Sequence, residues 1–496
     1  MTETEQAPRV LGPETGAPGV TRAVRTTVRN HWSFVGVLSA GLVLRALAET
    51  AYRPALLYID SAKYLVGSGG TAPEGYQALL RLLDPIGGLA LVAAVQHAFG
   101  LAMAIAVYAL LIRRGAPRWA ATLAAAPVLL DAYQVQLEQT IMPDVPFETM
   151  ITAGLVLLLW YPRRAGAWAV ATGALMLGAT TTVREIGGVL VVPAVVFAAL
   201  TAPRWRRAAL AAACFALPVL GYMTGALVVT GHFGLASNGP GPEYGRAAAA
   251  ADCAALALPA DERTLCPAPG ETLGLGGIDG LLHNPRSPGH TAPLPPGTSR
   301  GQLLDRFSLA VFGQQPLRVA ASVIGDSTRL FALTRDGDPQ VTNIARWQFQ
   351  TFYPTYPHRY TMAAFTRLAR QHGSGGDLVV AEPAARLLRA YQLGGGSTPG
   401  PLYAVALAAG LLGALTGLRK RGSDTELAAA CLLVTLAAAV LLLSSDAFEF
   451  SWRYQLPAVV MLPLAGALGL TALATRRARY CGGVRSRPSR CGARTG

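Results

Sequence analysis

Residues 425–445 read TELAAACLLVTLAAAVLLLSS, and this run decides the fold class. Glu426 is its only charged residue. About 20 apolar residues form a helix that is long enough to cross a bilayer. Similar runs recur along the chain, in which 52% of the residues are hydrophobic and 14% are charged. Soluble domains carry roughly a quarter charged residues, so the sequence predicts an all-α membrane protein.

The apolar runs alternate with basic clusters in a regular way. Short groups of Arg lie at every second junction, as the positive-inside rule expects of cytoplasmic loops. This alternation predicts about ten transmembrane helices in the inner membrane, with both termini in the cytoplasm. The runs lie at about 31–49, 86–112, 118–136, 143–161, 165–181, 187–202, 208–231, 399–418, 425–445 and 455–475. The clusters are Arg113/Arg114/Arg118, Arg163/Arg164, Arg204/Arg206/Arg207, Arg419/Lys420/Arg421 and Arg476/Arg477/Arg479.

This topology divides the chain into five parts. Residues 1–30 form a cytoplasmic tail, and residues 31–231 hold helices 1–7 with their outer loops. Residues 232–398 form an extracytoplasmic loop region, residues 399–475 hold helices 8–10, and residues 476–496 form a basic cytoplasmic tail. The net charge of +14 is therefore explained by orientation, and no nucleic-acid partner is expected.

The long loop region carries two local signals. Cys253 and Cys266 share it, and thiols oxidise outside the cytosol, so these two are candidates for a disulfide that the sequence alone does not decide. Apolar residues also recur at helical spacing, which predicts amphipathic helices that lie on the membrane surface. These residues are Leu303, Leu304, Phe307, Val311, Val319 and Val323.

The first outer loop contains the sequence Leu57-Tyr-Ile-Asp-Ser-Ala-Lys-Tyr64. Its acidic residue, Asp60, follows the first span by about ten residues. A carboxylate at headgroup depth is placed to meet a substrate whose lipid tail stays in the bilayer. The alternative is a solvated loop residue beside an interfacial aromatic belt.

The turn between spans three and four concentrates acidic residues. Glu138, Asp144 and Glu148 lie there within a few residues of two prolines, and carboxylates next to apolar helix ends are costly unless they are paired or used. Glu138 and Asp144 are candidate oxygen ligands of a divalent metal ion, Mg²⁺, Mn²⁺ or Ca²⁺. The alternative is that Asp144 caps the fourth span.

Two arginines are placed at outer headgroup depth. Arg184 follows span five, and Arg453 with Tyr454 opens span ten. A guanidinium suits a phosphate because its planar donors fork onto two oxygens. The alternatives are an ion pair of Arg184 with Glu185 or the nearby carboxylates, and a snorkelling role for Arg453.

An aromatic run, Trp347 to Tyr360, is a candidate for stacking against sugar rings, with an interfacial anchor or a local core as the alternative. No Walker loop, dinucleotide glycine pattern or Ser/His/Asp elbow appears, which argues against nucleotide-driven chemistry.

The order of these motifs resembles the GT-C superfamily of membrane glycosyltransferases. More narrowly, it is similar to the phospholipid-carrier-dependent branch that includes protein O-mannosyltransferases and lipid A aminoarabinose transferases. The resemblance covers about residues 31–200 and 446–465. It implies a GT-C-like arrangement of the transmembrane helices, with extracytoplasmic loops that carry amphipathic helices.

The resemblance also implies roles for individual residues. The family's catalytic acid lies in the first outer loop and maps onto Asp60, although many members have an Asp-Glu pair where this chain has Asp60-Ser61. The second-loop carboxylate maps onto Asp144, with Glu138 as its neighbour. Arg453 with Tyr454 matches a late Arg-Tyr-x-x-Pro signature, in which the Arg suits the carrier phosphate.

The function expected from this resemblance is sugar transfer from a polyprenyl-phosphate donor to a glycan, lipid or protein acceptor outside the membrane. Asp60 would act as general base, Arg184 and Arg453 would stabilise the departing phosphate, and a single displacement would invert the anomeric centre. One alternative is a transporter or flippase of a lipid-linked or anionic solute. Against it, ionisable residues cluster at one face of the membrane, with His97 the nearest exception. A family member that lost catalysis and serves as an assembly subunit is the third reading.

Overall fold

The structure of the protein is a computed structural model. It describes residues 29–161, 166–201, 204–236, 243–335, 337–338, 342–356, 360–373, 377–418 and 423–484. Most of both predicted tails, and the basic clusters Arg163/Arg164 and Arg419/Lys420/Arg421, lie outside the described residues.

The described chain is almost entirely helical. Its helices are α1 Trp32–Ala51, α2 Ser61–Val66, α3 Gly75–Arg113, α4 Arg118–Leu130, α5 Ala132–Gln139, α6 Asp144–Leu159, α7 Ala167–Ala179, α8 Val191–Thr201, α9 Arg204–Thr230, α10 Tyr244–Ala250, α11 Ala260–Arg263, α12 Glu271–Leu275, α13 Gly277–His283, α14 Pro288–Thr291, α15 Arg300–Gln314, α16 Pro316–Thr328, α17 Met362–Gln371, α18 Glu382–Leu393, α19 Gly400–Leu418, α20 Ser423–Phe448 and α21 Leu456–Val484. The 3₁₀ segments are Thr180–Thr182, Glu185–Leu190, Arg329–Phe331 and Ile344–Trp347. The strands are β1 Tyr52–Arg53 and β2 Val379–Val380, which pair antiparallel.

The prediction of an all-α membrane protein is confirmed. Among the described residues, 6 helices are long and apolar enough to cross a membrane, and they belong to α1, α3, α9, α19, α20 and α21. The other four predicted spans correspond to the shorter helices α4, α6, α7 and α8. The count of ten spans therefore stays a prediction.

Close packing of α19 against α21 depends on glycine. A Cβ on Gly469 would overlap the backbone of Ala409, and a Cβ on Gly413 would lie 2.7 Å from Gly469 Cα. Small residues let membrane helices approach until their backbones touch, which increases van der Waals contact where lipid gives no hydrophobic driving force. These glycines hold the C-terminal helices that position Arg453 between α20 and α21.

Helix α3 is kinked between its N-terminal segment and its long apolar segment. Pro85 precedes Gly87 and Gly88, which have non-helical dihedral angles, and Gly88 has a positive φ of 62°. A Cβ on Gly88 would lie 3.0 Å from His372 O. The kink separates the N-terminal segment of α3 from the predicted span at 86–112, and glycine is needed both for the dihedral angle and for the close approach.

The first part of the predicted loop region has a hydrophobic core of its own. Residues between Tyr244 and Val319 form this second core, and the disulfide between Cys253 and Cys266 lies in the same part of the chain. The structure thus shows the cysteine pairing that the sequence left open.

The amphipathic helices of this region are α15 and α16, as their spacing predicts. The sequence predicted that the apolar face of these helices lies on the membrane surface. This prediction is wrong, because Leu303, Phe307 and Val311 on that face are buried in the second core. Once that face packs against α10 and the loop around Leu258, it is not available to lipid.

The second part of the loop region packs on the transmembrane bundle. Its buried hydrophobic side chains, which include Leu330, Trp347 and Leu388, belong to the main core. Strand β2 pairs with β1, and Arg335 makes two hydrogen bonds to the buried carboxylate of Asp131, at 2.7 and 3.1 Å. This part therefore covers the first outer loop.

Candidate active site

The first outer loop is fixed to the turn between α5 and α6 by hydrogen bonds. Leu56 N–H donates to Gln139 O at 2.9 Å, and Ile141 N–H donates to Leu56 O at 2.9 Å. The Ser61 hydroxyl donates to Ile141 O at 2.8 Å and accepts from a loop N–H at 2.8 Å. Ser61, the residue that departs from the family's Asp-Glu pair, therefore fixes the loop that carries Asp60.

Asp60 and Arg453 form an ion pair. Asp60 lies directly before α2, and Arg453 lies in the turn before α21. Arg453 Nη1 donates to Asp60 Oδ2 at 3.0 Å, and Lys63 Nζ lies 3.5 Å from Asp60 Oδ1. The Asp60 side chain is 26% exposed and that of Arg453 is 7% exposed. The carboxylate is therefore the more accessible partner.

Asp144 connects the two arginines. It is the first residue of α6 and is buried. Its Oδ1 accepts from Arg184 Nη1 and lies 3.7 Å from Arg453 Nε. The Tyr454 ring centroid lies 4.9 Å from Arg184 Cζ and 4.6 Å from Arg453 Cζ, and its hydroxyl accepts from Arg453 Nη2 at 2.8 Å. The structure thus brings together every predicted site residue except Glu138.

The electrostatics of this cluster keep Asp60 ionised. Burial by itself would raise the pKa of the Asp60 carboxyl, but Arg453 and then Lys63 oppose it and lower the pKa to about 2. Two carboxylates, Asp60 and Asp144, face two guanidinium groups. A phosphate that binds here must compete with these carboxylates for the guanidinium groups.

A cavity of about 410 Å³ opens beside the cluster. Asp60, Arg453 and Tyr454 line it, whereas Asp144 and Arg184 do not and reach it only through their contacts with Arg453 and Tyr454. The remaining lining residues come from the first outer loop, the loop region and the turn before α21. They are Tyr58, Ile59, Asp279, His283, Thr342, Arg346, Trp347, Tyr360, Glu449 and Ser451.

Glu138 belongs to a different buried network, between α1, α3 and α5. Arg45 Nη2 donates to Glu138 Oε1 at 2.7 Å, and His97 Nδ1 lies 2.9 Å from Glu138 Oε2. All three side chains are at most 5% exposed. Gln96 Nε2 adds hydrogen bonds to Glu138 O at 2.9 Å and to Thr140 O at 2.8 Å. This network supports the turn that fixes the Asp60 loop.

The two residues of the predicted metal pair, Glu138 and Asp144, have different partners and do not form a joint metal site. Both Glu138 oxygens contact Arg45 or His97, and Asp144 Oδ1 pairs with Arg184, whereas Asp144 Oδ2 is buried without a hydrogen-bond partner. Glu138 therefore has no free oxygen for a cation that it would share with Asp144. In the part of the chain that the structure describes, no group of three or more His, Cys, Asp or Glu side chains could hold a metal ion. Glu138 contributes to folding instead.

The alternatives for single residues are also decided by geometry. Asp144 makes no capping hydrogen bond on α6 and pairs with Arg184, as one alternative for that arginine expected. Arg453 does not snorkel, because its guanidinium is buried against Tyr58 and Trp347, 5.7 and 5.1 Å from the ring centroids. The aromatic run supplies Trp347 and Tyr360 to the cavity, and its residues 357–359 lie outside the described chain.

Sequence reasoning missed several residues of the site region. Arg45, a charge inside the first apolar run, was a usable signal, since such a charge needs a buried partner. Glu449 and Ser451 stand next to the late arginine signature. Asp279 gave no signal, because a lone acidic residue in a long polar loop resembles any solvated side chain.

Comparison with known families agrees with the bundle just described. Residues 89–224 match the family model of dolichyl-phosphate-mannose-protein mannosyltransferases. The chain is similar to this mannosyltransferase family. The matched segment is well under half of the chain, and it contains Glu138, Asp144 and Arg184 but neither Asp60 nor Arg453. The resemblance stated from the sequence is therefore confirmed over this segment.

No curated protein matches the chain. A similar solved structure is that of the archaeal oligosaccharyltransferase AglB from Archaeoglobus fulgidus, in complex with an inhibitory peptide and a dolichol-phosphate. The identity is 13% and the TM-score is 0.42, and the alignment covers 95% of this chain and 53% of the AglB chain. The chain thus spans about half the length of that protein, and a likeness at this level carries no inference about activity.

Proposed function

We propose that the protein transfers a sugar from a polyprenyl-phosphate donor to an acceptor at the extracytoplasmic face of the inner membrane. The observation that carries the proposal is the 3.0 Å contact between the Asp60 carboxylate and the Arg453 guanidinium at the wall of one cavity. A carboxylate and a guanidinium are the groups needed for the acceptor proton and the leaving phosphate, and here they share a site at the loop ends of apolar helices.

Asp60 is the proposed general base. It accepts the proton of the acceptor hydroxyl or amine while the acceptor atom attacks the anomeric carbon. The bond from that carbon to the phosphate oxygen breaks in the same step, so the anomeric centre is inverted. A pKa of about 2 makes Asp60 a weak base in the free protein. A donor phosphate on Arg453 weakens the Asp60 pair and moves the pKa toward a useful range.

Arg453 and Tyr454 are the proposed phosphate-binding residues, and Arg184 is the proposed positioning residue next to them. Arg453 Nε is buried and has no hydrogen-bond partner, so the guanidinium has capacity for one more acceptor oxygen. Arg184 acts through the ring of Tyr454 and through Asp144, which it partly neutralises. Both cations stabilise negative charge as it develops on the leaving phosphate.

The geometry also suits an amphiphilic donor. Its polyprenyl tail stays in lipid, while its sugar enters the cavity above the helix ends. A glycan, a lipid or a protein is the proposed acceptor, and polyprenyl-phosphate-mannose is the first donor to test, because the matched family is named for that sugar on a related carrier.

The test is transfer of radiolabelled mannose from the polyprenyl-phosphate donor by purified protein in liposomes. Asp60→Asn is expected to reduce kcat at least a hundredfold, since a positioned general base contributes about 10²–10⁴-fold. Asp84→Asn is the matched control, because Asp84 also pairs with a basic partner, His372 at 2.8 Å, but lies outside the cavity. Full activity of Asp60→Asn would sink the assigned base.

The transporter reading is tested in the same vesicles. Movement of a fluorescent polyprenyl-phosphate lipid across the bilayer, without any covalent product, would favour a flippase. Absence of both transfer and flux in well-folded wild-type protein would favour the subunit that lost catalysis.

A further inference from the structure

A second cavity lies on the exposed side of α17. Its volume is about 730 Å³. Most of its lining comes from α17, including Met362, Arg367 and Arg370, while Asp377 and Leu378 come from the segment that leads into β2. It shares no lining residue with the cavity described above. This α17 cavity is therefore a separate candidate binding site.

Helix α17 packs on the bundle with one face only. Phe365, Leu368 and Ala369 are buried in the main core. Arg367 and Arg370 are exposed and line the α17 cavity. Residues three apart in a helix lie on the same side of it. The free face of α17 thus presents two neighbouring guanidinium groups.

The charge of the α17 cavity favours an anion. Arg370 forms an ion pair with Asp377, and the two side chains are 61% and 67% exposed. Among the described residues, Arg367 has no ion-pair or hydrogen-bond partner. Exposed ion pairs are weak, so a phosphate can take the place of Asp377. A guanidinium forks onto two phosphate oxygens, which makes a phosphate the anion that fits best.

The C-terminal end of α17 lies at a membrane boundary. After its kink at Gly88, α3 continues as an apolar segment to Arg113 that is long enough to cross a bilayer, so these residues mark opposite boundaries. A Cβ on Gly88 would lie 3.0 Å from His372 O and 3.1 Å from Gly373 C. Tyr360, just before α17, lines the cavity that contains Asp60, so α17 lies on the same side of the membrane as the proposed active site.

This position places the two arginines among lipid headgroups. Arg370 and Arg367 precede His372 by only a few residues, which is at most about 8 Å at 1.5 Å per residue. The headgroup layer on each side of a bilayer is about 5–8 Å thick. Just before Gly88, Leu82 and Ile86 are 64% and 72% exposed. They supply apolar surface at the same boundary.

We propose that the α17 cavity binds an anionic phospholipid of the adjacent leaflet. Its phosphate lies on Arg367 and Arg370, and its acyl chains pass Leu82 and Ile86. A zwitterionic lipid is disfavoured, because its ammonium group would approach the same two guanidinium groups. The inference does not rest on the proposed sugar transfer.

The test is native mass spectrometry of the purified full chain in uncharged detergent, titrated with dioctanoyl phosphatidylglycerol or dioctanoyl phosphatidylcholine. Wild type is expected to bind phosphatidylglycerol at least about fivefold more tightly. Arg367→Gln and Arg370→Gln should each weaken phosphatidylglycerol binding about fivefold, the usual effect of one basic residue at an anionic membrane surface. Neither should change phosphatidylcholine binding.

Two further variants separate the site from general effects of surface charge or stability. Asp377→Asn removes the carboxylate that competes for Arg370, so it should tighten phosphatidylglycerol binding about twofold to fivefold. A loss of stability would not do this. Arg386→Gln is the matched control, because Arg386 is 62% exposed and pairs with Glu382 at 3.8 Å, but lies on α18 outside the cavity. It should leave the affinity unchanged.

Four outcomes would overturn the site. Wild type could bind the two phospholipids equally, or both arginine variants could keep full affinity for phosphatidylglycerol. Glycerol 1-phosphate could bind as tightly as phosphatidylglycerol, which would assign the cavity to a soluble phosphate. Equimolar polyprenyl phosphate could displace phosphatidylglycerol completely, which would assign the cavity to the carrier.

Discussion

Replacing Glu138 by Leu is expected to destabilise the protein strongly. In the wild-type protein Arg45 and Glu138 pair at 2.7 Å, with side-chain exposures of 2% and 0%. The substitution leaves the Arg45 guanidinium inside the bundle without this partner. Removing one partner of a buried ion pair costs about 3–5 kcal/mol of unfolding free energy, because the other charge stays desolvated. His97 would lose the acceptor for its Nδ1 at the same time.

The double variant Arg45→Met/Glu138→Leu separates charge burial from packing. Replacing both ions of a buried pair by apolar groups of similar volume is often neutral. We expect the double variant to lose no more than about 1–2 kcal/mol, the cost of the unpartnered His97. It should therefore be more stable than Glu138→Leu alone.

The assay is equilibrium unfolding in mixed micelles with increasing SDS, followed by circular dichroism. The reasoning would be refuted if Glu138→Leu cost less than about 1 kcal/mol, well under the range for a broken buried pair. It would equally be refuted if the double variant lost the sum of the two single effects, since the side chains would then not be coupled.

Three further outcomes follow from the same structure. Gly100→Ala should cost about 1–3 kcal/mol of unfolding free energy, because a Cβ there would overlap Glu138 Oε1. Gly225→Ala, which has nothing within 4 Å, is the control and should be neutral or stabilising. Cys253→Ser should destabilise the second core by about 3 kcal/mol, because opening the short disulfide loop increases the entropy of the unfolded chain. Proteolysis of this part of the chain should become faster, and unchanged proteolysis would contradict a structural disulfide. Affinity for polyprenyl-phosphate-mannose, a phosphodiester that does not titrate near neutral pH, should fall as pH rises through about 7, since Glu449, whose pKa burial and Asp279 raise to about 7, then adds a negative charge near Arg453. Glu449→Gln should remove that dependence, and an unchanged pH profile in this variant would contradict the assignment to Glu449.

The sequence was sufficient where one local property decides the outcome. Apolar length in runs such as 425–445 determines which segments form membrane helices, because a bilayer imposes both a thickness and the need for internal hydrogen bonds. It also marked Asp60, Arg184 and Arg453 as outer polar residues, because charges at helix ends are costly without a purpose. Family resemblance then supplied an order of motifs, but no distances.

The sequence failed where two residues with the same local pattern have different partners. Glu138 and Asp144 are neighbours in an acidic turn and looked like one metal pair. The fold directs Glu138 to Arg45 and His97 inside the bundle, and Asp144 to Arg184 and Arg453. The amphipathic pattern of α15 likewise specified an apolar face, but not whether lipid or protein would cover it.

The chain by itself thus determined the helical membrane architecture and the set of charged residues near its loops. Asp60 and Arg453 are 393 positions apart in the sequence, and only the tertiary structure decided that they share one cavity. It also decided that Asp279, Glu449 and Ser451 join them there. The reason is that helix formation depends on neighbours along the chain, whereas the partner of a buried or half-buried charge depends on how helices pack.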